Sequence, residues 1–172
     1  MLALVGFRAV GKTHLASYLK ENFSLKIFST DQYIENLCGM PIKQLVSERG
    51  WGFFRSLETQ ALKEALKSSC DLVDTGGGIV ELEENRCLLK KLFHTLYLQQ
   101  SFSVISQRLQ KDNQRPDFSI KNEGAFEGLK EIFNKRASLY REVSKKSIDL
   151  NKEDLKTVAS LVMESRGKGI TL

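Results

Sequence analysis

"GFRAVGKT", residues 6–13, follows the apolar run Leu2-Ala3-Leu4-Val5 and precedes a stretch where Leu15, Ala16, Leu19 and Phe23 recur at helical spacing. The octet reads G-x-x-x-x-G-K-T, and its place between a strand and a helix gives the pattern physical meaning. Gly6 and Gly11 let the backbone turn so that amide hydrogens point inward. The first turn of the helix adds unpaired N–H groups and the positive end of its dipole. Lys12 can then reach the β- and γ-phosphates of a nucleotide, and the Thr13 hydroxyl can ligate magnesium. We read Gly6, Ala9, Val10, Gly11, Lys12, Thr13 and His14 as the lining of this phosphate cradle. The competing reading is a plain turn with Thr13 as a helix cap.

Outward from the cradle, short apolar runs alternate with helical patterns. Strands are expected at Leu2–Val5, Leu25–Phe28, Leu72–Val73, Thr95–Leu98 and Ser147–Leu150, and helices at 13–23, 31–37, 42–49, 53–66, 83–92, 101–110, 126–143 and 154–164. Gly39 and Pro41 mark a break. Residues 111–124 are polar without apolar periodicity and read as a mobile loop. Alternating strands and helices imply parallel pairing, hence a three-layer α/β sandwich around a five-stranded parallel sheet. With 172 residues, no internal repeat and no linker-like segment, one domain spanning 1–172 is the expectation.

Net charge is +5, but Lys and Arg are scattered, with no run of four and no interleaved aromatic platform, so nucleic acid is not an expected partner. Cys38, Cys70 and Cys87 form no C-x-x-C pair, which argues against a zinc site or a disulfide framework. No apolar run reaches the roughly 18 residues a membrane span needs, and Arg8 interrupts the first one before any cleavage site. A cytoplasmic protein without a membrane partner is expected, and a monomer, since no apolar heptads are evident.

A cradle alone serves many reactions. Three clusters narrow the choice. "IFSTDQYIE" puts Asp31 just past the second strand, where open α/β sheets bind ligands and where a carboxylate could orient an acceptor hydroxyl. A helix cap is the alternative. "RGWGFFRSLE" puts Arg55 and Glu58 three apart on one helix face, so Glu58 could aim the Arg55 fork at a substrate carboxylate. An exposed ion pair is the alternative. "DLVDTGGGIV" ends a strand on Gly76, Gly77 and Gly78, where the backbone could approach a ligand closely, or simply turn. Arg136 and Tyr140, four apart in "FNKRASLY", can look toward one site. Together these describe a pocket for a polyol bearing a carboxylate.

The order GxxxxGKT, STD-x-x-IE, FR-x-x-E, TGGG, RP and KR-x-x-LY resembles the shikimate kinase family over nearly the whole chain. The resemblance implies a P-loop fold of the nucleoside-monophosphate-kinase type with strand order 2-3-1-4-5, ATP with magnesium, and phosphorylation of the shikimate 3-hydroxyl. It implies that Asp31, Arg55, Gly77 and Arg136 bind shikimate, within a bed formed by Gly76–Gly78, and that Asp31 positions or deprotonates the attacking hydroxyl. It makes Lys12, Asp31 and Arg115 the catalytic set, with Arg115 the lid arginine over the γ-phosphate. Arg108 is implied to pack on adenine and Asn151 to lie in the nucleotide-base loop, although "NKED" also reads as a helix cap.

The chain departs from that family in places. Ser29-Thr30-Asp31 stands where Asp-Thr-Asp is usual, so the acid that supports magnesium through water is missing. Asp74, closing the third strand, is the expected replacement behind Thr13. Ala9 replaces a common glycine, and Asp117-Phe118 replaces an apolar pair after Arg115-Pro116. The rival expectations are a gluconate-like kinase and an inactive nucleotide-binding regulator, the latter suggested by Ser29.

Overall fold

The computed structural model describes residues 1–111 and 123–167. Five strands, β1 (Leu2–Val5), β2 (Ile27–Ser29), β3 (Leu72–Asp74), β4 (His94–Gln99) and β5 (Lys146–Asp149), form one sheet in the order β2-β3-β1-β4-β5. Every pairing is parallel. The helices are α1 (Lys12–Phe23), α2 (Thr30–Cys38), α3 (Ile42–Lys67), α4 (Glu83–Leu92), α5 (Phe102–Lys111), α6 (Glu123–Val143) and α7 (Leu155–Gly167). Among the described residues, no helix is long and apolar enough to cross a membrane.

This topology fixes the layers. Crossovers between parallel strands are right-handed, so connections running in opposite directions along the sheet lie on opposite faces. The connection through α1 runs from the central β1 out to the edge strand β2. Those through α3, α4 and α6 run the other way. Accordingly α1 packs with α7, while α4 packs with both α3 and α6. Strands covered on both faces need no polar alternation, and all of β1 and β3 is buried. The loops after β1 and β3 therefore leave toward opposite faces, and the crevice between them is where such sheets bind ligands.

A second, smaller core joins α2 to α3 through Ile34, Leu45, Phe54, Leu57 and Ala61. It underlies the residues of α2 and α3 that face this crevice. The expected 42–49 and 53–66 helices are both present as the two limbs of α3, which meet at Gly50, whose φ of 78° and ψ of 168° lie in a region essentially reserved for glycine. Gly39, at φ 67°, ends α2 as expected of a left-handed cap.

The short strands shift slightly from their expected places. β2 begins two residues late because Lys26 O instead receives Asp71 N and Leu72 N at 2.8 and 3.3 Å, and Leu25 is buried ahead of the strand. The last helix continues to Gly167, past the expected end at 164. Arg115 and most of the expected loop lie outside the described residues, while Lys111 belongs to α5 and 123–124 to α6.

Candidate active site

The cradle is built from backbone. Gly6, Ala9 and Gly11 have φ of 153°, 61° and 115°, so the loop needs three residues in a conformation that favours glycine. Ala9 occupies one of them at a cost of about 1–2 kcal/mol, which is why a glycine is common there. A Cβ on Gly6 would stand 2.7 Å from the Leu98 carbonyl oxygen of β4, a strand that cannot yield. Lys12 is buried and donates from Nζ to Gly6 O at 2.8 Å and Phe7 O at 3.2 Å, its ammonium folded over the loop that would receive phosphate. The Thr13 hydroxyl donates to Asp74 Oδ2 at 2.8 Å.

Register explains the Thr13–Asp74 contact. Leu4 of β1 pairs with Asp74, and Asp74 pairs with Ser29 of β2, so the ends of these three strands lie side by side. Ser29 is the N-cap of α2, its hydroxyl accepting from Gln32 N at 3.3 Å. The cap is therefore Ser29 and not Asp31, which removes the capping alternative for Asp31. The oxygens of Thr13 and Asp74 form a hard donor pair suited to magnesium, which takes few protein ligands beside phosphate and water.

Beside the cradle, Arg108 Nη1 donates to the carbonyls of Ala9 and Val10 at 2.9 and 3.1 Å. It borders a hollow of ≈ 280 Å³ with Val10, Gly11, His14, Gln100, Leu150, Glu153 and Leu155. Asn151 does not line this hollow. Its amide nitrogen donates to Asp149 at 2.6 Å and its oxygen accepts from Ser101 N at 3.3 Å, tying β5 to the start of α5. The cap of α7 is Asp154, which accepts from Thr157 N at 2.7 Å.

Across the crevice, side chains converge on the three glycines. Their φ values are not left-handed, so what they supply is space. A Cβ on Gly76 would stand 2.6 Å from Asp31 Oδ1 and 3.1 Å from Glu58 Oε1. One on Gly77 would stand 2.9 Å from the backbone nitrogen of Arg8, in the phosphate cradle. One on Gly78 would stand 2.2 Å from Arg55 Nη1. The three glycines thus leave room for the side chains that line the site and for the edge of the cradle. The Tyr140 hydroxyl donates to Gly77 O, and Gly76 N donates to Thr30 Oγ1.

Two arginines face this bed, each with one N–H given to a glutamate. Arg55 Nη1 donates to Glu58 Oε2 at 2.7 Å and its guanidinium lies over Trp51 and Phe54, 5.1 and 5.4 Å from the ring centroids. Glu58 is fully buried, so the exposed-pair alternative does not apply. Arg136 Nε donates to Glu81 Oε1 at 2.6 Å, and its guanidinium lies 5.7 Å over Phe7. Burial pushes the Glu58 carboxyl up to about 7, against the pull of Arg55 and with a push from Asp31. Burial also works to raise Glu81, but the hydrogen bond and charge of Arg136, with Lys135 and Arg55, outweigh it and hold that carboxyl below its ordinary range. Burial pushes the Tyr140 phenol up, keeping it a donor.

A fused wall of cradle, glycine bed, carboxylate and paired guanidinium groups is thus present, and the family model for shikimate kinase matches residues 8–166. This chain belongs to the shikimate kinase family. It is 32% identical over 170 residues to shikimate kinase 2 of Photorhabdus laumondii subsp. laumondii, covering 96% of each chain. It is 35% identical over 149 residues to pentafunctional AROM polypeptide 2 of Lodderomyces elongisporus, covering 83% of this chain but spanning only 9% of that polypeptide. Among solved structures it resembles shikimate kinase from Acinetobacter baumannii in complex with shikimate, with a TM-score of 0.86, 27% identity, and 99% and 94% of the two chains covered.

Of the residues in the shikimate kinase pattern, Lys12, Thr13, Asp31, Asp74, Arg55 and Arg136 border one crevice, and Arg108 is bonded to the cradle carbonyls of Ala9 and Val10. Arg115 lies outside the described residues. Sequence reasoning missed Arg8, Glu81 and Arg86. Arg8 occupies a variable position of the cradle motif, Glu81 meets Arg136 only through the packing of α6 against the turn after β3, and Arg86 binds the carbonyls of that turn, which no motif marks.

Proposed function

We propose that this protein transfers the γ-phosphoryl group of ATP to the 3-hydroxyl of shikimate, giving ADP and shikimate 3-phosphate, a step toward aromatic amino acids. The observation that carries the reading is the glycine bed: one turn admits the carboxylate of Asp31, the guanidinium of Arg55 and the edge of the phosphate cradle. The likeness to a kinase solved with shikimate supports the same acceptor. Phosphoryl transfer needs little covalent help from protein, so the residues position and neutralise.

Arg55 and Arg136 grip the acceptor carboxylate and hold the ring against the bed. Asp31 orients the 3-hydroxyl toward the γ-phosphorus and accepts its proton as the new P–O bond forms and the bond to the β–γ bridging oxygen breaks. Lys12 leaves the loop carbonyls for the phosphate oxygens. Magnesium fits the oxygens of Thr13 and Asp74 and, when bound with the triphosphate, supplies charge neutralisation there. With Ser29 engaged as a helix cap, the negative charge behind that position comes from Asp74.

A coupled ADP-release assay with shikimate, with gluconate and without acceptor tests the reading. Release that depends on shikimate supports it. Equal release with all three contradicts it and favours a nucleotide-binding protein without this acceptor. In the same assay Asp74→Asn should raise the magnesium concentration needed for half-maximal rate; an unchanged requirement removes Asp74 from metal support.

A further inference from the structure

The turn that follows the glycine bed holds a carboxylate that the mechanism above does not use. Glu81 accepts from Arg136 Nε at 2.6 Å, and its other oxygen lies 3.9 Å from Lys135 Nζ. Among the described residues, Arg136 Nη1 and Nη2 have no hydrogen-bond partner. Engaging Nε alone leaves the outer edge of the guanidinium, with its two parallel N–H directions, open for a carboxylate. The Phe7 ring beneath the guanidinium fixes its plane.

Glu81 is itself held firmly. Its backbone nitrogen donates to Gly78 O at 3.0 Å, closing the turn. Arg86 Nη1 donates to the carbonyls of Val80 and Glu81 at 2.8 and 3.1 Å, and Arg86 Nε faces Glu142 of α6 at 3.7 Å. Gly78, at the start of the same turn, is the residue against which the Arg55 guanidinium packs. A single four-residue turn therefore sets the places of both arginines, one through absent side-chain volume and the other through a carboxylate.

We infer that Glu81 is a positioning residue for acceptor recognition: it anchors Arg136 by Nε so that the free edge of the guanidinium meets the acceptor carboxylate. The inference rests on the acceptor reading given above. Glu81 touches neither the reacting oxygen nor the nucleotide, so its loss acts through Arg136. A glutamine at this position keeps an oxygen that accepts from Nε, whereas alanine keeps nothing.

The test compares Glu81→Ala and Glu81→Gln by steady-state kinetics with shikimate and with its primary amide, alongside the proton-exchange protection of the Arg136 Nε–H signal. Glu81→Ala should raise the shikimate KM roughly 10- to 100-fold, the range for a lost hydrogen bond to a charged group. Its kcat and its KM for ATP should stay within about twofold, a split that marks lost uniform binding. Glu81→Gln should recover most of the KM and the Nε–H protection. The penalty in Glu81→Ala should vanish for the amide, which offers no carboxylate. An unchanged KM, an equal penalty for acid and amide, or undiminished Nε–H protection in Glu81→Ala would overturn the inference while leaving the kinase reading intact. A fall in KM would overturn it too, since Glu81 would then be competing with the acceptor. Absence of shikimate-dependent turnover in the unsubstituted protein would contradict the kinase reading itself, and the inference with it.

Discussion

At Gly78 the requirement is spatial: any Cβ overlaps the Arg55 guanidinium, with Nη1, Nη2 and Cζ all within 2.5 Å. The obstructing group is the far end of a flexible side chain, so Gly78→Ala should displace Arg55 rather than unfold the protein. We predict a thermal midpoint close to that of the parent and a shikimate KM raised roughly 10- to 100-fold, as expected for a lost charge-assisted contact. Steady-state kinetics and calorimetry check both halves, and a shikimate KM equal to that of the parent contradicts the placement of Arg55. Glu58 makes a second prediction at this scale. Its carboxyl titrates near 7 in the fold against 4.5 when free, so the folded state holds a proton that the unfolded state releases first. Stability from this group is present below about 4.5 and is lost as pH rises to about 7, by on the order of 3 kcal/mol at most. Glu58→Gln should remove that slope. Urea unfolding at intervals from pH 5 to pH 8, read as the difference between parent and variant, tests it, and a pH-independent difference would contradict the burial argument.

At the level of elements, α3 works as two helices that meet at Gly50, both contributing to the core shared with α2 and the second also carrying Arg55 and Glu58 toward the bed. Nothing lies within 4 Å of a Cβ built on Gly50, so substitution there meets conformational strain and no steric block. Gly50→Ala should cost on the order of 1–3 kcal/mol and weaken shikimate binding if the kink straightens. A stability equal to that of the parent, measured by denaturant titration, would show that the backbone conformation is not needed. Much at this scale was legible from the sequence, because apolar runs, Gly39 and the cradle motif are local signals. The kink was legible as a gap between two periodic stretches. The end of β2 was not, since a three-residue strand takes its limits from the neighbour with which it pairs. Ser29 stands where the family usually has an acid, and only the fold shows that it also caps α2 while Asp31 faces Gly76. Glu81 was illegible because its partner is 55 residues away on α6 and belongs to no motif.

Across the whole molecule, function follows from the sheet order. With β1 central and β3 beside it, the loops after these strands diverge to opposite faces and leave a crevice at their ends. The cradle after β1 and the glycine bed after β3 therefore meet wall to wall, at the approach of Gly77 to the Arg8 backbone. The main core holds the cradle and the sheet, and the smaller α2–α3 core holds Asp31, Arg55 and Glu58 opposite. The cradle and the wall of Asp31 and Arg55 opposite it are in this way carried by separately packed units that face each other. The most direct test of that arrangement is to follow phosphorus from ATP labelled at the γ position, in the presence of magnesium and shikimate. The account predicts label on the 3-oxygen of shikimate, matched one for one by ADP. Label recovered only as inorganic phosphate, at a rate indifferent to shikimate, would contradict it.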